Sequence, residues 1–198
     1  MTQGDLQNFF KVSYAAINVI PDELPEVAEA LQRGRQFYEQ DQDPQHEPAR
    51  QSNRERNSHV PPEGIGTIPG FLYLKPIEIN QVPQVGLFSD RPLAAGTWIG
   101  TYTGKLLPGA HPSQSLYAML FEDPNAGVSL QIDALNHGNH MRFMNHSDSP
   151  NVQPAYLFHQ GMYYVGMRTK CAVEAHHQLL YNYSKAYWEK LGIKPIAL

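Results

Sequence analysis

The sequence predicts a mainly β fold with α (α+β), and three observations predict it. From Ile65 onward, β-branched and aromatic residues are punctuated by Gly, Pro and Asn, the texture of many short strands. Before that point, apolar residues recur at approximately helical spacing in two stretches that end by Tyr38. Late in the chain, residues 152–158 and 162–167 flank a His159-Gln160-Gly161 turn, which reads as a hairpin.

Residues 5–20 place Leu6, Phe9, Phe10, Tyr14, Ile17 and Val19 at helical spacing, with Pro21 as the stop. A second helix follows. Asp22 or Glu23 can cap it, Pro25 suits its first turn, and Leu24, Ala28, Leu31, Arg35 and Tyr38 fall on one stripe. Together they make an N-terminal helical segment, 1–40, that packs on the rest of the chain or docks a partner. Residues 40–59 hold one Ala and no other aliphatic or aromatic residue, so 41–64 reads as a polar flexible linker or loop. Its Arg-rich part is diluted by Glu55 and interleaves no aromatic residue, which favours a solvated segment over a nucleic-acid patch. Strands are expected at 71–75, 85–89, 98–107, 116–121 and 128–132, ahead of the hairpin. A short helical pattern at 184–191 carries Tyr187, Trp188 and Leu191.

At 198 residues and 41% hydrophobic content, the chain can build one domain with an appendage. No apolar run approaches the roughly 20 residues that cross a bilayer, and the N-terminus lacks a signal peptide's basic start and apolar middle. The expectation is an intracellular soluble protein with no membrane partner, in cytoplasm or nucleus, or exported to a host cell if the source is bacterial. Cys171 is the one cysteine, which excludes an intrachain disulfide and a cysteine zinc cluster. It reads as a small buried hydrophobe rather than a nucleophile. A formal charge of −4 disfavours direct nucleic-acid binding and suits a basic protein or peptide partner.

The densest chemistry lies in MRFMNHSDSPNV, residues 141–152. A guanidinium, amides, an imidazole, hydroxyls and an acid sit there among Phe143, Met144 and Val152, and concave sites are built from a few polar groups in an apolar wall. A hydrogen-bonded structural loop is the alternative. Metal binding by His137, His140, His146, His176 and His177 is disfavoured, because no cysteine or acidic partner stands at ligand spacing.

Asn139, Arg142, Phe143, Asn145, His146, Ser147, Pro150 and Asn151 reproduce a GN..RF.NHS..PN signature, and LLYNY follows at residues 179–183. Preceded by GLFSDRPLAAGTWIGTYTGKLL from Gly86, SLYAMLFED and SLQIDA, this order resembles SET-domain protein lysine methyltransferases over about half the chain. The resemblance implies small β-sheets around a pseudoknot, with residues 65–183 as the catalytic domain. It implies a tail at 184–198 that closes the cofactor site. The implied reaction is methyl transfer from S-adenosylmethionine to a lysine of a protein or peptide, a histone among the candidates, with one methyl added per site. The alternative is a SET-like binding module with little or no turnover.

By the same resemblance, Tyr183 is the catalytic tyrosine, Tyr181 controls the degree of methylation, and Tyr102 walls the lysine channel. Tyrosines suit such a channel, since their faces tolerate a cation and their hydroxyls orient a neutral amine. The structural reading of each is a half-buried strand tyrosine. Cofactor contacts are implied at Gly86, Leu87, Tyr117, Arg142, Asn145 and His146, although Arg142 and Asn139 can equally brace the segment. Trp188 either stacks on the adenine or packs on the core. Gln84 stands where the family has the first glycine of a G-x-G, and His176-His177-Gln178 replaces a Gly-Glu-Glu turn. Asp148 replaces a zinc-binding cysteine, and no cysteine-rich tail follows Tyr183, so the resemblance is to the zinc-free branch.

Overall fold

The computed structural model describes residues 10–61, 64–113, 115–192 and 194. In chain order its first elements are β1 (Ser13–Tyr14), α1 (Pro25–Arg35), a wider helical turn (Gln36–Gln40), a tight turn (Pro44–His46) and α2 (Glu47–Asn57). Then come β2 (Leu72–Ile79), β3 (Val82–Ser89), β4 (Trp98–Tyr102), β5 (Lys105–Pro108), β6 (Ala118–Asp123), β7 (Val128–Asp133) and β8 (His137–Gly138). A helical turn (His140–Phe143) leads into β9 (Asn145–His146), β10 (Val152–His159), β11 (Met162–Thr169), β12 (Leu180–Tyr181) and α3 (Lys185–Leu191). The class is mainly β with peripheral helices, as the strand texture predicts. Among the described residues no helix is long and apolar enough to cross a membrane.

The strands form small sheets ordered β10-β11-β4, β5-β7-β6, β2-β3, β12-β9 and β1-β8. Leu106, Leu130, Ile132, Val165, Met167 and Leu179 fill the core where these sheets meet. The predicted hairpin closes between His159 and Met162, and Gln160 and Gly161 both take positive φ, the backbone hand that matches strand twist. The strand expected over 98–107 is two strands in different sheets. It breaks at Gly104, where a Cβ would lie 2.5 Å from the Asp133 carbonyl oxygen, so only glycine lets the chain pass this close.

The N-terminal expectations need correction. Residues 5–9 of the first expected helix lie outside the described residues, and 11–20 are not helical: Ser13–Tyr14 form β1 and Val19 a bridge to Lys105. Their backbone groups are taken by distant partners: Ser13 N–H donates to Asn136 O (2.8 Å), Ala15 N–H to Gly138 O (3.0 Å) and Val19 N–H to Gly104 O (2.8 Å). Such pairing satisfies the chain without a helix. In α1 the residue preceding the helix is Leu24 with no side-chain cap, and the buried face is Val27, Ala30, Leu31 and Gly34. Ala28 and Arg35 are exposed, because Phe158 and Tyr163 press on Gly34 and set the rotation of the helix.

The polar linker expected over 41–64 is largely helical. Asp43 accepts from Gln45 N–H (2.9 Å) and caps the tight turn, and Arg50 is paired by Asp41 at 3.1 Å and Glu47 at 3.0 Å. Asn53 then does what a neighbouring strand would do. Its Nδ2 donates to Phe158 O (2.9 Å) and its Oδ1 accepts from Phe158 N–H (2.8 Å), so α2 covers the free edge of β10. Polar residues here dock by hydrogen bonds, which a hydrophobicity pattern reads as solvation. Asn53→Ala is expected to cost about 2 kcal/mol, because it unpairs the buried Phe158 N–H, while Asn57 Nδ2 still donates to Phe158 O at 2.9 Å. Thermal unfolding should show Tm lower by roughly 4–8 °C, and an unchanged Tm would mean that α2 contributes nothing to the core. Cys171, expected to be buried, is exposed in the turn before Val173.

Candidate functional site

The NHS segment and the closing strand meet as the parallel pair β9 and β12, with Leu180 opposite Asn145 and Tyr181 opposite His146. Two asparagines hold the segment in place. Asn139 accepts from Met141 N–H (3.0 Å) and donates to Thr101 O (2.8 Å), tying the turn before β9 to β4. Asn151 donates to Gln178 O and accepts from Leu180 N–H, both at 2.8 Å, which holds the closing strand against it. Asn145 Nδ2 donates to Val85 O (3.0 Å) and joins β9 to β3.

On this frame the aromatic residues converge. Tyr183 N–H donates to His146 Nδ1 (3.1 Å); since a backbone N–H only donates, Nε2 carries the imidazole hydrogen, 3.3 Å from Asp148 Oδ1. The Tyr183 hydroxyl donates to Met144 O (2.8 Å), and the Tyr102 hydroxyl donates to Tyr117 O (2.7 Å). Each oxygen therefore keeps its lone pairs for a ligand. Among the described residues the Tyr181 hydroxyl has no hydrogen-bond partner. Ring centroids of Tyr181 and Tyr183 lie 4.7 Å apart, and Trp188 stacks on Tyr183 at 5.8 Å and meets His146 edge-on at 5.0 Å. Burial pushes the Tyr102, Tyr181 and Tyr183 phenols above their ordinary pKa, with neighbouring tyrosines adding to it. They stay protonated at neutral pH. Their chemistry is to orient, not to act as phenolate bases.

These groups wall a cavity of about 510 Å3, within the range of small-molecule sites. Arg142 lies along it, with its guanidinium 3.8 Å from the Tyr117 ring centroid and 5.1 Å from that of Phe143. Burial lowers its pKa, and among the described residues no carboxylate comes within 4.0 Å of it. Its Nη2 reaches Leu135 O at 3.5 Å, while its Nε and the Trp188 Nε1 are buried without acceptors. A cation beside a flat indole and a ring of tyrosines fits a ligand with an anionic end and an aromatic ring. A second cavity of about 310 Å3 shares Tyr181, Tyr183 and Tyr187 with the first, so two ligands can approach the same tyrosines from different sides.

Of the residues singled out from sequence, Tyr102, Tyr117, Arg142, Asn145, His146, Tyr181, Tyr183 and Trp188 line the larger cavity. Trp188 packs on Tyr183 and His146 and also walls the cavity. Gly86 and Leu87 do not line it. Leu87 is 0% exposed in the core, and a Cβ on Gly86 would lie 2.6 Å from Gln178 Nε2, so glycine there accommodates the His176-His177-Gln178 turn. The wall is made instead by Val82, Pro83, Gln84 and Val85, together with Ile79 and Asn80 at the tip of the β2–β3 hairpin. Phe10 and Tyr187 were also missed. The alternation of β3 hints at Val85, but nothing local marks Phe10, whose ring packs tilted against Phe143 at 4.8 Å.

The comparisons with known proteins agree with this geometry. Residues 84–184 match the SET domain. Histone-lysine N-methyltransferase EZ1 of Oryza sativa subsp. japonica is 27% identical over 110 residues, 52% of this chain and 12% of that protein. Human histone-lysine N-methyltransferase EHMT1 is 29% identical over 113 residues, 54% of this chain and 9% of that protein. The chain thus spans about a tenth of the length of these curated relatives. Among solved structures, the polycomb repressive complex 2 of Chaetomium thermophilum superposes with a TM-score of 0.51 at 20% identity, over 61% of this chain and 16% of that one. The ctPRC2 structure in an autoinhibited conformation bound to S-adenosylmethionine gives 0.50 at 20% identity, over 64% of this chain and 17% of that one. At that identity the likeness shows the fold alone.

Proposed function

Since the chain belongs to the SET-domain family, matched over residues 84–184, we propose that it is a protein-lysine N-methyltransferase using S-adenosylmethionine. The observation that carries this reading is the wall of Tyr181, Tyr183 and Tyr187 shared by two cavities, the larger of about 510 Å3 and the smaller of about 310 Å3. Names of the relatives make histones the first substrates to try. When bound, S-adenosylmethionine supplies a methyl group on a sulfonium, which passes to the lysine nitrogen as the carbon–sulfur bond breaks.

The residues present fit that cofactor. Arg142 would hold its carboxylate, Trp188 and His146 would flank its adenine, and Asn145 fixes the strand beside it. Tyr102 and Tyr183, with their hydroxyl hydrogens committed to backbone carbonyls, accept hydrogen bonds from the incoming amine. An ordinary lysine has a pKa of about 10.4, and aromatic walls that exclude water favour its neutral form. The protonated phenols are not bases, so the lysine gives its proton to solvent before it is enclosed. What the chain contributes is alignment.

Incubating the purified chain with S-adenosylmethionine and mixed histones or total cell protein should yield methyl-lysine by mass spectrometry. Cofactor binding without transfer would instead support a SET-like binding module. The Tyr181 hydroxyl, without a hydrogen-bond partner among the described residues, bears on product. Tyr181 can hold the amine, directly or through water, in the volume that an added methyl would need, which favours monomethyl-lysine. Tyr181→Phe should shift product from mono- toward di- and trimethyl-lysine, with total turnover within about threefold of the parent. Trimethylation by the unsubstituted protein would refute this role for Tyr181.

A further inference from the structure

The smaller cavity carries a chemistry of its own. Beyond the shared tyrosines, Met119, Leu120 and Tyr156 give it an apolar face, with Leu120 49% and Tyr156 40% exposed. Tyr156 is held by stacking on Phe121 at 5.9 Å, so it presents a rigid ring. Lys190 and His111 stand on the same cavity, and among its described lining residues there is no Asp or Glu. Of the neighbouring carboxylates, Glu122 of β6 lines a different cavity together with Arg56 and Arg168, and the others are engaged by hydrogen bonds or an ion pair. Asp123 accepts from the Tyr38 and Tyr163 hydroxyls, Asp133 accepts from those of Ser113 and Ser115, and Glu189 pairs with Lys185. Lys190 makes no ion pair among the described residues.

We propose that this cavity selects a lysine flanked by an apolar residue and by a carboxylate that reaches Lys190, in preference to a lysine in an Arg- and Lys-rich tail. The inference rests on the methyltransferase reading above and narrows its substrate. An apolar flanking side chain buries Leu120 and the Tyr156 ring, the exposed apolar surface that the cavity offers. A flanking guanidinium or ammonium would be desolvated against that surface beside Lys190, with no carboxylate to compensate it. Discrimination here comes from repulsion as much as from attraction.

Two peptides around one lysine test this, one with Leu and Glu flanks and one with Arg and Lys flanks. Their binding to the full chain is followed by fluorescence anisotropy, with methyl transfer measured separately. The Leu/Glu peptide should bind at least about tenfold tighter, and Lys190→Glu or Leu120→Glu, both at exposed positions, should erase or invert that ratio. Equal binding, tighter binding of the Arg/Lys peptide, no binding of either, or a ratio unmoved in both variants overturns the proposal. Selective binding without transfer to either peptide keeps it and sinks the methyltransferase reading. Transfer with the opposite preference does the reverse.

Discussion

Tyr183→Phe is expected to lower kcat for methyl transfer by roughly 100-fold or more, the scale of losing a positioned group that acts in the transition state. The geometry says why. The hydroxyl hydrogen goes to the Met144 carbonyl at 2.8 Å, which turns the oxygen lone pairs toward the cavity shared with Tyr181 and Tyr187. Phenylalanine keeps the ring that stacks on Trp188 and removes only the oxygen. Cofactor affinity should therefore hold within a few-fold, measured by calorimetric titration. Stability should fall modestly, because a buried carbonyl loses its partner at a cost of about 1–3 kcal/mol. Transfer at the parental rate would remove Tyr183 from the reaction.

Asn151→Ala should act on folding and transfer together. Its amide makes two of the hydrogen bonds between the segment after β9 and the closing strand, donating to Gln178 O and accepting from Leu180 N–H. Removing them leaves two part-buried backbone groups unpaired, a loss of about 2–4 kcal/mol. The same loss frees the strand that carries Tyr181 and leads to Tyr183, and a misplacement near 1 Å can cost roughly 100-fold in rate. Expected are a Tm lower by roughly 4–16 °C and a matching fall in kcat. Asn151→Asp keeps the acceptor for Leu180 N–H but opposes the Gln178 carbonyl, and should fall between. If Asn151→Ala lost neither stability nor rate, the crossing of the two segments would be held by something else.

The site was more legible than the scaffold. Tyr102, Tyr117, Arg142, Asn145, His146, Tyr181, Tyr183 and Trp188 come from four separate stretches of sequence and line one cavity. Their shared lining was readable because the stretches that carry them combine particular residue types at particular spacings. Gly86 and Leu87 were read with the same motif and are elsewhere, since a glycine in a strand signals a close approach without saying what approaches. In this chain it is Gln178.

By itself the sequence determined the mainly β class, the β10–β11 hairpin and the residue types that the NHS and LLYNY segments bring to the cavity. Those depend on side-chain alternation, turn geometry and residue type, which are local. Tertiary structure alone decided the rest. Helix α2 has almost no apolar residues and exists because Asn53 meets Phe158 across 105 positions of sequence. Residues 11–20 have a helical pattern but are not helical, because β8 and Gly104 supply their hydrogen-bond partners. The second cavity likewise arises only where β6, β10 and α3 bring Leu120, Tyr156 and Lys190 together. A backbone group is satisfied equally well by a near or a distant partner, and local pattern records only the near ones.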